Sequence, residues 1–291
     1  MSPSILERNH VNCIGEQGPV LLYGHGFGCH QGMWSGVTPG FAHSHRQVLM
    51  DYVGSGRSDR SAFMPSRYAR LDGYARDVLE VCDALGLERG VTFVGHSVGC
   101  SIGMLAQIAR PGLFERLVLV GPSPCFLNHP PHYHGGFERE DLEGLLALMD
   151  QNYIGWADHL APVVAGASEV ASDRLHDSFC STDPQTARVF ARATFFADNR
   201  ADLPRVSCPS LILQHAHDAL VPPDIPIPAL AEIQIALQDA AALVTVLPLA
   251  LQGHAAGASG HSLAVNSLLV VRASLSSAQT AAQWLAGSLN A

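Results

Sequence analysis

The chain has no apolar run long enough to cross a bilayer, no paired-cysteine motif, no surplus of positive charge and no internal repeat. Each absence removes a class of protein. The longest apolar run, Ala240 to Leu251, falls short of the ~20 residues a membrane helix needs, and Thr245 and Pro248 interrupt it. The first eighteen residues hold Glu7, Arg8 and Glu16 and no apolar core, so no secretory signal is expected. Seven cysteines are scattered without a C-x-x-C pair, which reads as reduced thiols in the cytoplasm. A net charge of −9 argues against nucleic acid and against an anionic membrane surface, since both select basic patches.

What remains is a chain of 291 residues, 47% hydrophobic, enough for one large core with an insertion. Short runs that are apolar throughout recur at Val20–Tyr23, Val48–Met50, Val91–Val94, Leu117–Val120 and Leu211–Leu213. Strands buried on both faces of a parallel sheet read this way. Helix-period stretches lie between several of them. In Tyr74–Leu85, for example, Val78, Leu79, Cys82 and Leu85 share a face. The alternation predicts an α/β fold, a mostly parallel sheet flanked by helices. The regularity breaks between Cys125 and Pro204, where helical patterns at Glu138–Asp150, Trp156–Val164 and Gln185–Phe196 are rich in aromatics. The expected division is core over 1–124, a helical lid over 125–204, and core again over 205–291. The last stretch is atypical from about residue 219: only Asp224, Glu232, Asp239 and Arg272 are charged after that point.

Chemistry concentrates at Gly95-His-Ser-Val-Gly99, which follows the apolar run Val91–Val94 and precedes the helix-like Ile102–Ala109. Strand, tight turn and helix with a serine at the apex make a nucleophile elbow, which lifts Ser97 clear of the sheet. A serine needs a base, and the base needs an acid to orient it. Asp218 follows the strand-like Ser210–Gln214, and His254 follows a second candidate strand, Leu243–Leu251, so the order Ser, Asp, His is kept. His261 is a rival base. Upstream, Gly24-His-Gly-Phe-Gly28 follows the first buried run and fails the dinucleotide pattern G-x-G-x-x-G. It fits an oxyanion loop instead, with the backbone amides of Phe27 and Val98 as the two donors. His129, His132 and His134 cluster beside two prolines, but no cysteine or acid lies at ligand spacing, so this segment reads as a polar loop. Neither a metal nor a cofactor is expected.

Several motifs together resemble one subfamily of the α/β-hydrolases. They are His25-Gly-Phe-Gly28, Met50-Asp-Tyr-Val-Gly-Ser-Gly-Arg-Ser-Asp59, Gly95–Gly99, Gly121-Pro-Ser-Pro-Cys125, Asn152-Tyr-Ile-Gly-Trp156 and Phe179-Cys-Ser-Thr-Asp-Pro184. The subfamily is that of the bacterial stress regulator RsbQ and the plant strigolactone and karrikin receptors. The resemblance spans about residues 10 to 218. It implies a four-helix lid over a small hydrophobic pocket, with Phe27, Phe126, Trp156, Phe195 and Phe196 at pocket-lining positions. It leaves signalling open beside metabolism as the purpose of the triad.

The tail departs from that pattern. Relatives carry a Gly-His-x-Pro-His-like run at the base, whereas this chain has Gly253-His-Ala-Ala-Gly-Ala-Ser-Gly-His261. A second alignment takes Ser267–Ser274 as the last strand and leaves no histidine after it. The leading expectation is a serine hydrolase of a small hydrophobic ester or lactone. The alternative is a ligand-sensing regulator whose output is a contact with a protein, a phosphatase carrying a sensor domain being the partner that the resemblance implies.

Overall fold

The computed structural model describes residues 3–166, 168–215, 218–222, 233–237 and 269–273, the last two segments by their backbone alone. Eight strands form one sheet: β1 (Asn12–Ile14), β2 (Val20–Gly24), β3 (Arg46–Leu49), β4 (Val91–His96), β5 (Phe114–Val120), β6 (Ser210–His215), β7 (Ile233–Leu237) and β8 (Leu269–Ala273). Their order across the sheet is β1-β3-β2-β4-β5-β6-β7-β8. All neighbours are parallel except β1, which lies antiparallel on β3 at the edge. The mostly parallel α/β sheet is the one the alternating apolar runs predict.

Burial follows the sequence runs. The strand β4 is buried from Val91 to Gly95 and β5 from Leu117 to Val120, whereas edge strand β1 is exposed at every position. The helix α3 (Leu71–Ala84) turns Leu71, Tyr74, Ala75, Val78, Val81 and Cys82 inward, a stripe at spacings of three and four. Its buried Asp77 meets Arg67 at 2.6 Å and Arg8 at 3.1 Å, which ties the N-terminal helix α1 (Ile5–Arg8) to the core. The helix α4 (Val98–Ala109), apolar around most of its circumference, packs between α3 and the sheet.

Between β5 and β6 the chain leaves the sheet and forms four helices: α5 (Arg139–Gln151), α6 (Tyr153–Ala165), α7 (Glu169–Ser181) and α8 (Pro184–Phe195). Three of these lie on the predicted helical patterns. The third, α7, was not visible as a pattern because its sequence is mostly polar and only Phe179 is buried. Among the described residues of this insertion no strand forms, only isolated bridges such as Cys125 with Asp198. No helix among the described residues is long and apolar enough to cross a membrane.

In the tail, β8 lies inside the stretch Ser267–Ser274. The strand β7, alternating Ile-Gln-Ile, was not foreseen. The candidate strand Leu243–Leu251, His254 and His261 lie outside the described residues.

Candidate active site

Parallel strands gather their C-terminal ends along one edge, and loops there carry function in open α/β sheets. Here β2 delivers His25–Gly28, β4 delivers Ser97, β5 leads into the lid, and β6 delivers Asp218.

Ser97 stands between β4 and α4 with φ 54° and ψ −124°, a backbone conformation that costs a side-chain-bearing residue of order 1–3 kcal/mol. Two glycines make the turn sterically feasible. A Cβ on Gly99 would come within 2.6 Å of the Gly24 carbonyl oxygen, and one on Gly95 within 2.8 Å of the Cys100 amide nitrogen. The Ser97 N–H donates to the Val120 carbonyl at 2.8 Å, locking the elbow to the neighbouring strand. Val98 opens α4, so its N–H belongs to the first turn, whose donors lack intrahelical acceptors. That end of the helix also favours negative charge.

The loop after β2 approaches this serine closely: a Cβ on Gly26 would lie 3.4 Å from the Ser97 Cβ. Its orientation is set by His25, which is fully buried. The Tyr52 N–H donates to His25 Nε2 at 3.1 Å, so Nδ1 carries the ring proton and donates to the Gly26 carbonyl at 2.9 Å. That carbonyl and the Phe27 N–H belong to one planar peptide unit, so fixing the first fixes the second. Burial depresses the His25 pKa to about 4, against a smaller upward pull from Asp51, and the ring is neutral at pH 7. The next residue but two, Gly28, has φ +70° and lies where a Cβ would collide with the Phe179 ring. Sequence reasoning passed over His25 as a motif letter. Its signal is that a histidine directly between a buried strand and a Gly-x-Gly loop must satisfy two ring nitrogens without water.

Asp218 sits just past β6, half-buried. Its Oδ1 accepts from the N–H groups of Leu220 (2.8 Å) and Val221 (3.1 Å), a self-contained turn.

Over these loops, Phe27 meets a ring cluster from the lid. Its centroid lies 5.6 Å from Phe190, 5.6 Å from Phe195, 6.0 Å from Phe179 and 6.1 Å from Trp156. Phe126 joins through Phe195 at 5.4 Å. Phe126, Trp156 and Phe195 are buried. Phe196 is not brought into this cluster. Its ring lies under the guanidinium groups of Arg139 and Arg192, at 5.5 and 5.2 Å. Phe179 and Phe190, absent from the predicted pocket set, take its place. The crevice between Phe27, Val53, Tyr153, Phe179 and Phe190 has room for about 10 Å³, no more than a water molecule.

A sequence profile described as the alpha/beta hydrolase fold matches residues 19–234. The chain belongs to the α/β-hydrolase family. Within the family it falls in the strigolactone and karrikin receptor-like branch. It is 37% identical over 223 residues to a strigolactone esterase of Arabidopsis thaliana, covering 76% of this chain and 83% of the relative. It is 36% identical over 214 residues to a karrikin insensitive 2 receptor of Petunia hybrida, covering 73% and 77%. Among solved structures, a hydrolase from Oleispira antarctica shares 41% identity with a TM-score of 0.81, covering 85% of this chain and 96% of that one. The α/β-hydrolase profile ends within β7, close to where the tail loses its charge.

Proposed function

We propose that this hydrolase cleaves a small hydrophobic ester or lactone in the cytoplasm through a Ser-His-Asp mechanism. The observation that carries the reading is the strained Ser97 backbone at the N-cap of α4, facing a loop pinned by His25. Ser97 Oγ attacks the carbonyl carbon while His254 takes its proton, and Asp218 orients the imidazole. The amides of Phe27 and Val98 hold the oxygen on which charge develops. Collapse breaks the ester bond, and the protonated imidazole returns the proton to the leaving oxygen. In a lactone that oxygen stays on the opened chain. Water, deprotonated by the same base, then releases the acid and restores Ser97.

The ring cluster around Phe27 favours a ligand that is apolar apart from its reacting carbonyl. Rates on a series of p-nitrophenyl esters should therefore fall once the acyl chain exceeds a few carbons. Treatment with a fluorophosphonate tests nucleophile, base and oxyanion hole together. The wild type should label at one site and Ser97→Ala not at all; an unlabelled wild type sinks the reading. His254→Ala should lose labelling as fully as Ser97→Ala, with His261→Ala nearly silent. The reverse pattern moves the base to His261.

Similarity to a karrikin insensitive 2 receptor favours a second reading, in which ligand binding drives a protein contact and turnover is slow. A sensor-domain phosphatase is the partner this reading proposes. Fast turnover of short acyl esters would decide for the enzyme.

A further inference from the structure

The start and the end of the lid meet at a cluster of unlike donors. Cys125, His129 and Asp198 place a sulfur, an imidazole nitrogen and a carboxylate oxygen all within 4.8 Å of one another. The Cys125 Sγ lies 3.6 Å from His129 Nε2. An ion bound tetrahedrally at about 2.3 Å from sulfur and about 2.05 Å from nitrogen holds those two atoms roughly 3.6 Å apart. The sequence reading found neither a cysteine nor an acid at ligand spacing around His129, yet Cys125, four residues earlier, reaches its ring. The fold supplies an acid from the far side of the lid, and this departs from the reading of His129–His134 as a plain polar loop.

The backbone under the cluster is built independently of any ion. Cys125 pairs antiparallel with Asp198, and the Asn199 N–H donates to the Pro124 carbonyl at 2.7 Å. His129 is held by paired backbone bonds with Tyr133, whose hydroxyl donates to the Cys125 carbonyl at 2.7 Å. Arg200 lies over the Tyr133 ring at 4.6 Å and grips both Asp198 oxygens, at 2.8 and 2.6 Å. Asp198 Oδ1 also accepts from the Arg200 backbone N–H at 3.2 Å, so Oδ2 is the oxygen that keeps a second lone pair for an ion, and ligating carboxylates are commonly held in this way by an outer donor.

We propose that Cys125, His129 and Asp198 form a binding site for a zinc-type divalent cation that clamps the two ends of the lid together. Thiolate and imidazole select a borderline ion such as Zn²⁺ over Mg²⁺ or Ca²⁺, which prefer all-oxygen shells. On binding, the Cys125 thiol releases its proton to solvent. Sulfur, Nε2 and one Asp198 oxygen each donate an electron pair, and no oxidation state changes. Three protein ligands leave the fourth tetrahedral position to water. A second thiol–imidazole pair, Cys180 with His176 (3.6 Å), has Asp158 3.0 Å from the same His176 nitrogen, so a carboxylate already engages the atom an ion would need. It serves as the internal control.

The test is a Co²⁺ titration of chelator-stripped protein in a phosphine reductant, followed by displacement with Zn²⁺. One equivalent should give the intense visible bands of tetrahedral Co²⁺ and a thiolate-to-cobalt charge-transfer band. Zn²⁺ should abolish both and raise Tm by several degrees. Cys125→Ser should lose the charge-transfer band. The exposed substitutions His129→Ala and Asp198→Asn should weaken binding at least tenfold with the fold intact, and Cys180→Ser should change nothing. No bands at millimolar Co²⁺, bands that persist in His129→Ala, or bands lost in Cys180→Ser would each overturn the site.

Discussion

The two described ends of the proposed relay are built in opposite ways. Around Ser97 everything is pinned from several directions: strain in the serine itself, glycines that admit the β2 loop, and a buried histidine that fixes one peptide plane. Around Asp218, among the described residues, the carboxylate's bonds run to the backbone amides two and three positions on, in a half-buried loop. On the proposed mechanism, rigidity lies where charge would develop on the substrate, and the position of Asp218 is left to a turn that any aspartate or asparagine forms. Substitution at the first end should therefore disturb turnover through geometry, and at the second through charge alone.

Ser97→Ala gives the largest expected effect. Turnover of p-nitrophenyl acetate should fall by more than ~10²-fold at unchanged Tm, and by far more if the residual site contributes little. Ser97→Gly should be equally inactive but more stable than Ser97→Ala by about 1 kcal/mol, because glycine tolerates the strained backbone. Equal stability of the two by chemical denaturation would remove strain from the argument.

Asp218→Asn comes next. The amide oxygen keeps both turn bonds, so stability should hold while kcat falls on the order of 10³–10⁴-fold. A parallel loss of Tm would mean that the charge also supports the loop and would blur the contrast.

His25→Leu should lower kcat by roughly 10–10²-fold, less than removal of an oxyanion donor outright, because the peptide is misaimed and not lost. His25→Asn keeps a donor near the Nδ1 position and should recover part of that rate. Indistinguishable variants would assign His25 to packing alone.

The smallest effect is in stability against pH. The folded pKa of His25, about 4, lies below the unfolded value near 6.5. Above the unfolded value its contribution is complete. As pH falls from 6.5 towards 4, the unfolded chain takes up the proton first, and stability drops by up to roughly 1.4 kcal/mol per pH unit. Denaturant titrations of the wild type and His25→Asn at pH 7 and 5 should show a steeper loss in the wild type, the variant keeping only the part that other groups such as His45 contribute.

How much could be read from sequence divides along the same line. The elbow and the first core strands were legible because their causes are local: a run of apolar residues, a glycine two positions away, a helix following. The place of Asp218 just after a strand was legible too. The ring cluster was half legible. Phe126, Trp156 and Phe195 join the ring cluster around Phe27, but Phe196 turned to two arginines, a choice made by Arg139 and Arg192 one helix face away. Cys125 and Asp198 carry no mutual signal, since only the packing of four intervening helices brings them together. The strand β7 escaped because a short Ile-Gln-Ile alternation is faint in a stretch with few turn markers.

The bridge between Cys125 and Asp198 has a consequence for how this scaffold changes over evolutionary time. Everything from Phe126 to Ala197 leaves and re-enters the sheet through a doorway one residue pair wide. Insertions whose ends lie side by side leave the host geometry nearly untouched. The cap is therefore a cassette. Exchanging it at that doorway for the corresponding segment of a relative should transplant ligand choice while the elbow, the β2 loop and the sheet stay as they are.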